Sequence, residues 1–334
     1  GSDDKTVKIW DFKTGECLNT FNGHNGLVTS VSITPDDKYI VSGSSDKTIK
    51  MWDIKTGECL NTFIGHNDLV NSVITTPDGK YIISGSYDYT IKIWDIKTGK
   101  CINTLKGHSR HVEIVKLTSN GKKIVSGSDD NTIMIWDIKT GECLSILNVH
   151  ADDTSSISIA TDDKYIVLGS YDTIFRILDI KTGKCLNTFE GHNGSVTSVT
   201  ITADGKYIVS GSLDNTIKIW DTKTGKCLNT FAGHNNFVNS IITSPDVKYI
   251  IVGCDDNKIK VFDFQTGKCI NTFENHTGSV TSLAITPDSR YIVSGSLDNT
   301  IKILDIKTAK CIYTIDDKSQ ISIDENGYFI SNDT

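Results

Sequence analysis

The chain has 334 residues, a formal net charge of −7 and a hydrophobic fraction of 37%. The acidic balance argues against wholesale binding to nucleic acid or to a membrane surface. No apolar run approaches the ~18 residues of a spanning helix, and neither a secretory leader nor an initiator Met is visible.

The chain is one pattern written repeatedly. Trp10-Asp11, Trp52-Asp53, Trp94-Asp95, Trp136-Asp137 and Trp220-Asp221 share a period of 42 residues with Leu178-Asp179, Phe262-Asp263 and Leu304-Asp305. His24, His66, His108, His150, His192, His234 and His276 keep the same step. A fixed period in this range decides architecture before any local reading does. A ring of repeats folds as one body, so residues 1–334 are expected to form a single domain rather than two or three. Such a chain can also be one part of a longer protein. Gly1-Ser2 reads either as a cloning remnant or as the counterpart of Gly43-Ser44.

In chain order, residues 6–10 and 17–21 read as two strands of an incomplete repeat. The repeat after His24 is complete. Residues 28–34 (VTSVSIT) alternate with period 2, Pro35-Asp36-Asp37 forms a turn, and residues 39–42 are a second strand ended by Gly43. Asp46-Lys47 turns the chain into residues 48–52, and Lys55-Thr56-Gly57 turns it into residues 59–63. Four short strands per repeat, with no helical periodicity, predict an all-β fold. Apolar residues on both faces of each small sheet predict an eight-bladed β-propeller of four-stranded antiparallel blades. The chain ends as it begins, inside a repeat: residues 320–324 fit a first strand and 328–331 (YFIS) a second. The last blade is therefore expected to be closed by N-terminal and C-terminal strands together, since the alternative of seven blades leaves a bare edge.

The recurring Gly-His and Trp-Asp give the chain a close resemblance to the WD-repeat family from end to end. The quartets His24, Ser42, Asp46, Trp52; His66, Ser84, Asp88, Trp94; His108, Ser126, Asp130, Trp136; and His192, Ser210, Asp214, Trp220 hold three residue types of a catalytic triad. A triad needs one exposed nucleophile in a pocket, not four copies. The resemblance implies instead a structural hydrogen-bond network inside each blade. It is incomplete where Leu168 and Leu178, Val252 and Phe262, or Leu304 replace its members, and those blades are expected to be softer.

Eight of nine cysteines follow the repeat, from Cys17 to Cys311, a blade apart and too far for disulfides. They are read as half-buried strand residues of a chain in a reducing compartment, hence cytoplasmic. His108-Ser109-Arg110-His111 with Glu113 is weak as a ligand set, and no metal or cofactor is expected. Periodic lysines such as Lys38 and Lys55 have acidic neighbours and read as solubilising charge.

Variation concentrates at two positions per repeat. Three residues past the His stand Leu27, Leu69, His111, Asp153, Ser195, Phe237 and Ser279; just before the Asp stand Ser45, Tyr87, Asp129, Tyr171, Leu213, Asp255 and Leu297. Leu27, Leu69, Tyr87, His111, Tyr171, Leu213, Phe237 and Leu297 are the candidate contacts. The expected function is a non-enzymatic scaffold, monomeric on its own. The resemblance implies a protein or peptide partner on the top face and channel mouth. A reader of a modified peptide or small ligand is the alternative. An enzyme needs an unrepeated polar cluster on inner loops, which the sequence does not offer.

Overall fold

The computed structural model describes residues 4–148, 154–316, 320–323 and 329–332, apart from 13, 171–172 and 233–235. His150, Asp153, Tyr171 and His234 lie outside the described residues, as do residues 324 and 328 of the tail.

Every regular element among the described residues is a β-strand. Strands β1 (Thr6–Trp10) and β2 (Cys17–Asn22) pair as a two-stranded sheet. The first complete repeat is β3 (Val28–Ile33), β4 (Tyr39–Ser44), β5 (Thr48–Asp53) and β6 (Cys59–Ile64), antiparallel in sequence order. It is followed by β7 (Val70–Thr75), β8 (Tyr81–Ser86), β9 (Thr90–Asp95) and β10 (Cys101–Lys106). The next sheet is β11 (Val112–Leu117), β12 (Lys123–Ser128), β13 (Thr132–Asp137) and β14 (Cys143–Asn148). Four further four-stranded sheets begin at Thr154, Val196, Val238 and Val280, and Gln320–Ile323 pairs with Phe329–Asn332. Seven four-stranded sheets and two half-sheets give the repeated antiparallel pattern of a β-propeller of about eight blades.

The turns follow from local chemistry. Between β3 and β4, Thr34 Oγ1 donates to Asp36 Oδ1 at 2.7 Å and accepts from the Tyr39 amide at 3.1 Å, while Asp37 takes a φ of 56°. Between β5 and β6, Asp53 Oδ1 accepts from the Thr56 amide at 2.8 Å, and Gly57 supplies the left-handed residue at φ 78°. A bulge at Met51/Trp52, opposite Cys59, twists the outer strand.

The strands run slightly longer than predicted. Gly43 does not end β4 but lies inside it, for a packing reason: a Cβ there would sit 2.9 Å from methyls of Val70 and Val73 in the next sheet. Adjacent sheets are packed this closely by apolar residues of both. Val7, Phe21, Val28, Val31, Ile40 and Trp52 form one such buried cluster, and Val41, Ile49, Phe63, Val70, Val73 and Trp94 belong to the next. First strands are also stapled side by side, since Ser30 Oγ accepts from the Val73 amide at 3.0 Å and Ser72 Oγ from Val115 at 3.2 Å.

The strands fall into two compact units. One holds Gly1–His150 with Lys318–Asp324 and Ile330–Thr334; the other holds Ala151–Asp317 and Glu325–Phe329.

The repeated cysteines are a correction. Cys17, Cys59, Cys101, Cys143, Cys185, Cys227 and Cys269 are exposed rather than half-buried. They sit on the fourth strand, the outer edge of each sheet, where the thiol has only its own strand to touch: Cys59 Sγ donates to the Asn61 carbonyl at 3.4 Å. Cys254 is the buried one, and burial pushes its thiol pKa up.

Candidate functional site

Two sets of repeated residues were singled out, and the structure separates them by burial. The first set lies inside the sheets. His24 Nδ1 donates to Asp46 Oδ2 at 2.8 Å, and its Nε2 accepts from Ser42 Oγ at 2.8 Å. Trp52 Nε1 donates to the same hydroxyl at 2.8 Å. The quartets of His66, His108 and His192 repeat this with every distance between 2.7 and 3.0 Å. These histidines and serines are buried, so no Ser hydroxyl in them meets a substrate from solvent.

Sequence reading missed two members. Thr48 donates to Asp46 Oδ1 through its amide at 3.0 Å and its hydroxyl at 2.6 Å, and the Asn25 amide donates to Oδ2 at 2.9 Å. The signal was present as a Thr two residues past the Asp: Thr48, Thr90, Thr132, Thr216 and Thr300. A fifth network forms without Trp, as His276 reaches Asp298 and Ser294 at 2.8 Å each. Where Ser and Trp are both absent, apolar groups fill the space together. Leu168 and Leu178 are buried, as are Val252 and Phe262, and Phe231 stacks on Phe262 at 5.8 Å. Replacing both partners of a hydrogen bond with apolar groups costs far less than orphaning one.

Burial lowers the pKa of His24, His66, His108, His192 and His276, with their Asp partners only partly opposing it. Burial alone would raise the Asp46 carboxyl, but hydrogen bonds from Thr48, Asn25 and His24 outweigh it and bring it down to about 2. Asp298 is likewise brought down to about 2, against its burial, by Thr300, the Thr277 amide and His276. Both partners thus bind protons more weakly folded than unfolded. The associated stability is complete above about pH 7 and is lost as pH falls, first below the ordinary His range and then below the Asp range. Thermal melts from pH 8 to pH 4 should show a plateau followed by a falling midpoint; a midpoint that rises on acidification excludes this account.

The second set lies on loops. In six repeats the two variable positions are direct backbone partners. Ser45 donates to Leu27 at 2.8 Å, Tyr87 to Leu69 at 2.9 Å, Asp129 to His111 at 3.1 Å, Leu213 to Ser195 at 2.9 Å, Asp255 to Phe237 at 3.0 Å, and Leu297 to Ser279 at 2.9 Å. Leu27, Phe237 and Leu297 are exposed, while Leu69, Tyr87, His111 and Leu213 are half-buried. Leu27, Leu69, Tyr87 and His111 belong to the first unit; Leu213, Phe237 and Leu297 belong to the second.

In the first unit the structure joins residues from two repeats. The Tyr87 ring stacks on His111 at 4.1 Å and 6°, and Tyr89 tilts against His111 at 5.6 Å. Burial and then Glu113 push the Tyr87 phenol up to about 12, so it stays protonated and donates to Glu113 Oε2 at 3.4 Å. Tyr89 was missed. Its position holds Lys47, Asn131, Asn215, Asn257 and Asn299 in other repeats, each with positive φ, and Tyr89 adopts 70°. A bulky aromatic in that conformation is strained by about 1 kcal/mol or more, and strain of this kind concentrates at functional sites.

In the opposite turns one set of lysines is paired. Lys38, Lys80, Lys164, Lys206 and Lys248 each pair with an Asp two residues earlier, at 2.8–3.4 Å. A shallow cleft of about 600 Å³ among these turns is lined by Lys248, Arg290 and Lys307, and Arg290 already reaches Asp305 at 3.2 Å.

This repeated four-stranded frame, with variable loops on it, defines a class of all-β repeat proteins. The family model for the WD domain, G-beta repeat, matches residues 15–53, 57–95, 99–137, 183–221, 225–263 and 267–305, and the chain belongs to this family. The unmatched central repeat is the one carrying Leu168 and Leu178. One relative, the Lissencephaly-1 homolog of Heterostelium pallidum, is 50% identical over 42 residues, which is 13% of this chain and 10% of the relative. The Dictyostelium discoideum protein of the same name is 48% identical over 42 residues, again 13% of this chain and 10% of the relative. The nuclear distribution protein PAC1 of Mycosarcoma maydis is 43% identical over 42 residues, 13% of this chain and 9% of the relative. The matched stretch thus spans about a tenth of each relative, a single repeat. Among the described residues, no helix is long and apolar enough to cross a membrane.

Proposed function

We propose that the chain is a non-enzymatic, cytoplasmic scaffold, monomeric on its own, that captures a protein or peptide through the loops of its first unit. The observation carrying this reading is the wall formed by Tyr87, Tyr89 and His111, with Leu69 joined to Tyr87 through the backbone. Aromatic side chains supply contact area at low entropic cost and anchor many interfaces. Leu27 extends the same face by one repeat. Leu213, Phe237 and Leu297 are proposed as secondary contacts in the second unit. A second reading, recognition of a cationic or methylated side chain, is favoured by the same wall, because Glu113 and Asp129 stand beside aromatic faces.

The test is affinity capture from the source lysate with two variants side by side. Tyr87→Ala with Leu69→Ala should lose the partner while shifting the melting temperature by only a few degrees, about the size of a surface change. Charge reversal at Lys38 and Lys55 should leave capture intact. Loss with the lysine variant and retention with the Tyr87 variant places the contact on the other face and refutes the proposal.

A further inference from the structure

We propose that His111, Glu113 and Asp129 bind a divalent first-row transition-metal ion. One ligand atom from each converges, all lying within 4.8 Å of one another. His111 Nδ1 stands 3.3 Å from Asp129 Oδ2. Ligands around an ion with bonds of roughly 2.1 Å lie roughly 3–4 Å apart, so small side-chain rotations complete the set. Along one strand, His108-Ser109-Arg110-His111 offers too few ligands. His108 is indeed taken up inside its sheet. The missing ligand comes from the far end of the neighbouring strand: β11 and β12 pair Val112 with Ser128, which brings Asp129 back beside His111.

The ligands are held before any ion arrives. Tyr87 stacks on the His111 ring and fixes its plane. Asn71 Nδ2 donates to Glu113 Oε2 at 2.9 Å and to the Glu113 carbonyl at 2.8 Å, and the Tyr87 hydroxyl reaches the same carboxylate. Such outer contacts orient first ligands and sharpen affinity. The His111 and Asp129 side chains are 40% and 34% exposed, which leaves the solvent side open for water ligands. A divalent ion also relieves the repulsion between two carboxylates. One imidazole with two carboxylates suits Zn²⁺, Co²⁺, Ni²⁺ or Mn²⁺; it lacks the thiolates that select Cu(I) and the all-oxygen shell that Ca²⁺ prefers. The set is not part of the copied frame, since the preceding repeat carries Leu69, Asn71 and Tyr87 at these places. The inference does not depend on the partner reading, because its probe is the metal alone.

Co²⁺ titration followed by visible absorption tests it, because the exposed cysteines announce themselves by thiolate charge-transfer bands that nitrogen and oxygen ligands do not give. The expected result is one saturable equivalent with d–d bands and no thiolate band. His111→Ala and Asp129→Asn should each weaken it by at least about tenfold, and Cys101→Ser should leave it unchanged. Melting curves of each unloaded variant establish that it is folded. As a second measurement, excess Co²⁺ should raise the melting temperature of the parent and not of the His111 variant. Absence of binding by the parent, binding through thiolate only, or binding unchanged in both ligand variants overturns the proposal.

Discussion

Asp214→Ala is expected to destabilise the protein by about 3–5 kcal/mol, lowering its melting temperature by on the order of 10 °C. The carboxylate accepts four hydrogen bonds: from His192 Nδ1 at 2.9 Å, the Asn193 amide at 2.8 Å, the Thr216 amide at 2.9 Å and the Thr216 hydroxyl at 2.6 Å. Truncation leaves the buried His192 Nδ1 with only the longer contact to the Thr216 hydroxyl at 3.2 Å, and that imidazole also orients the Ser210 hydroxyl, which accepts from Trp220 Nε1. Loss of one partner orphans the others, which is the expensive way to break a buried network. Asp214→Asn keeps an acceptor oxygen and should fall between parent and Ala. Asp256→Ala is the contrast. Val252 and Phe262 stand where Ser and Trp do elsewhere, and Lys258 where Thr does, so fewer groups depend on this carboxylate. Its loss should cost roughly 1 kcal/mol. Thermal or urea melts of both variants decide the matter: equal losses contradict a network account.

The frame was legible because the same physical requirement was written many times. Thr-Gly turns, alternating Val and Ile, and the spacing from His24 to Trp52 each recur, so one repeat interprets the others. Thr48 and Ser30 are just as periodic, yet their roles emerge only when strands are paired: Thr48 acts two residues from Asp46, and Ser30 acts across two sheets on Val73. The candidate contact site is legible only by contrast. Tyr87 and His111 were visible as departures from the template, but their stacking joins side chains of different repeats, which no period encodes. Tyr89 was hidden because its peculiarity is a backbone angle.

Removal of residues 320–334 is expected to turn the protein into an aggregating species. Strand β1 pairs with β2 on one side, and their sheet holds only two strands where every complete repeat holds four. The strands Gln320–Ile323 and Phe329–Asn332 form the other two-stranded sheet, and of these residues 320–323 and 330–332 belong to the same compact unit as β1. Trp10 marks what the half-sheet lacks. Its indole Nε1 is buried without a hydrogen-bond partner, whereas Trp52, Trp94, Trp136 and Trp220 each donate to a Ser ten residues earlier. By the repeat's spacing the counterpart of that Ser for Trp10 is Ser331, since YFIS occupies the place of YIVS. Truncation is expected to bare the edge of β1 beside apolar Val7 and Phe21, a template for pairing with other chains. Size-exclusion chromatography and light scattering on the truncated chain should report large species and a lowered melting temperature. A truncated chain that stays monomeric and melts like the parent establishes that the two half-sheets do not complete one blade.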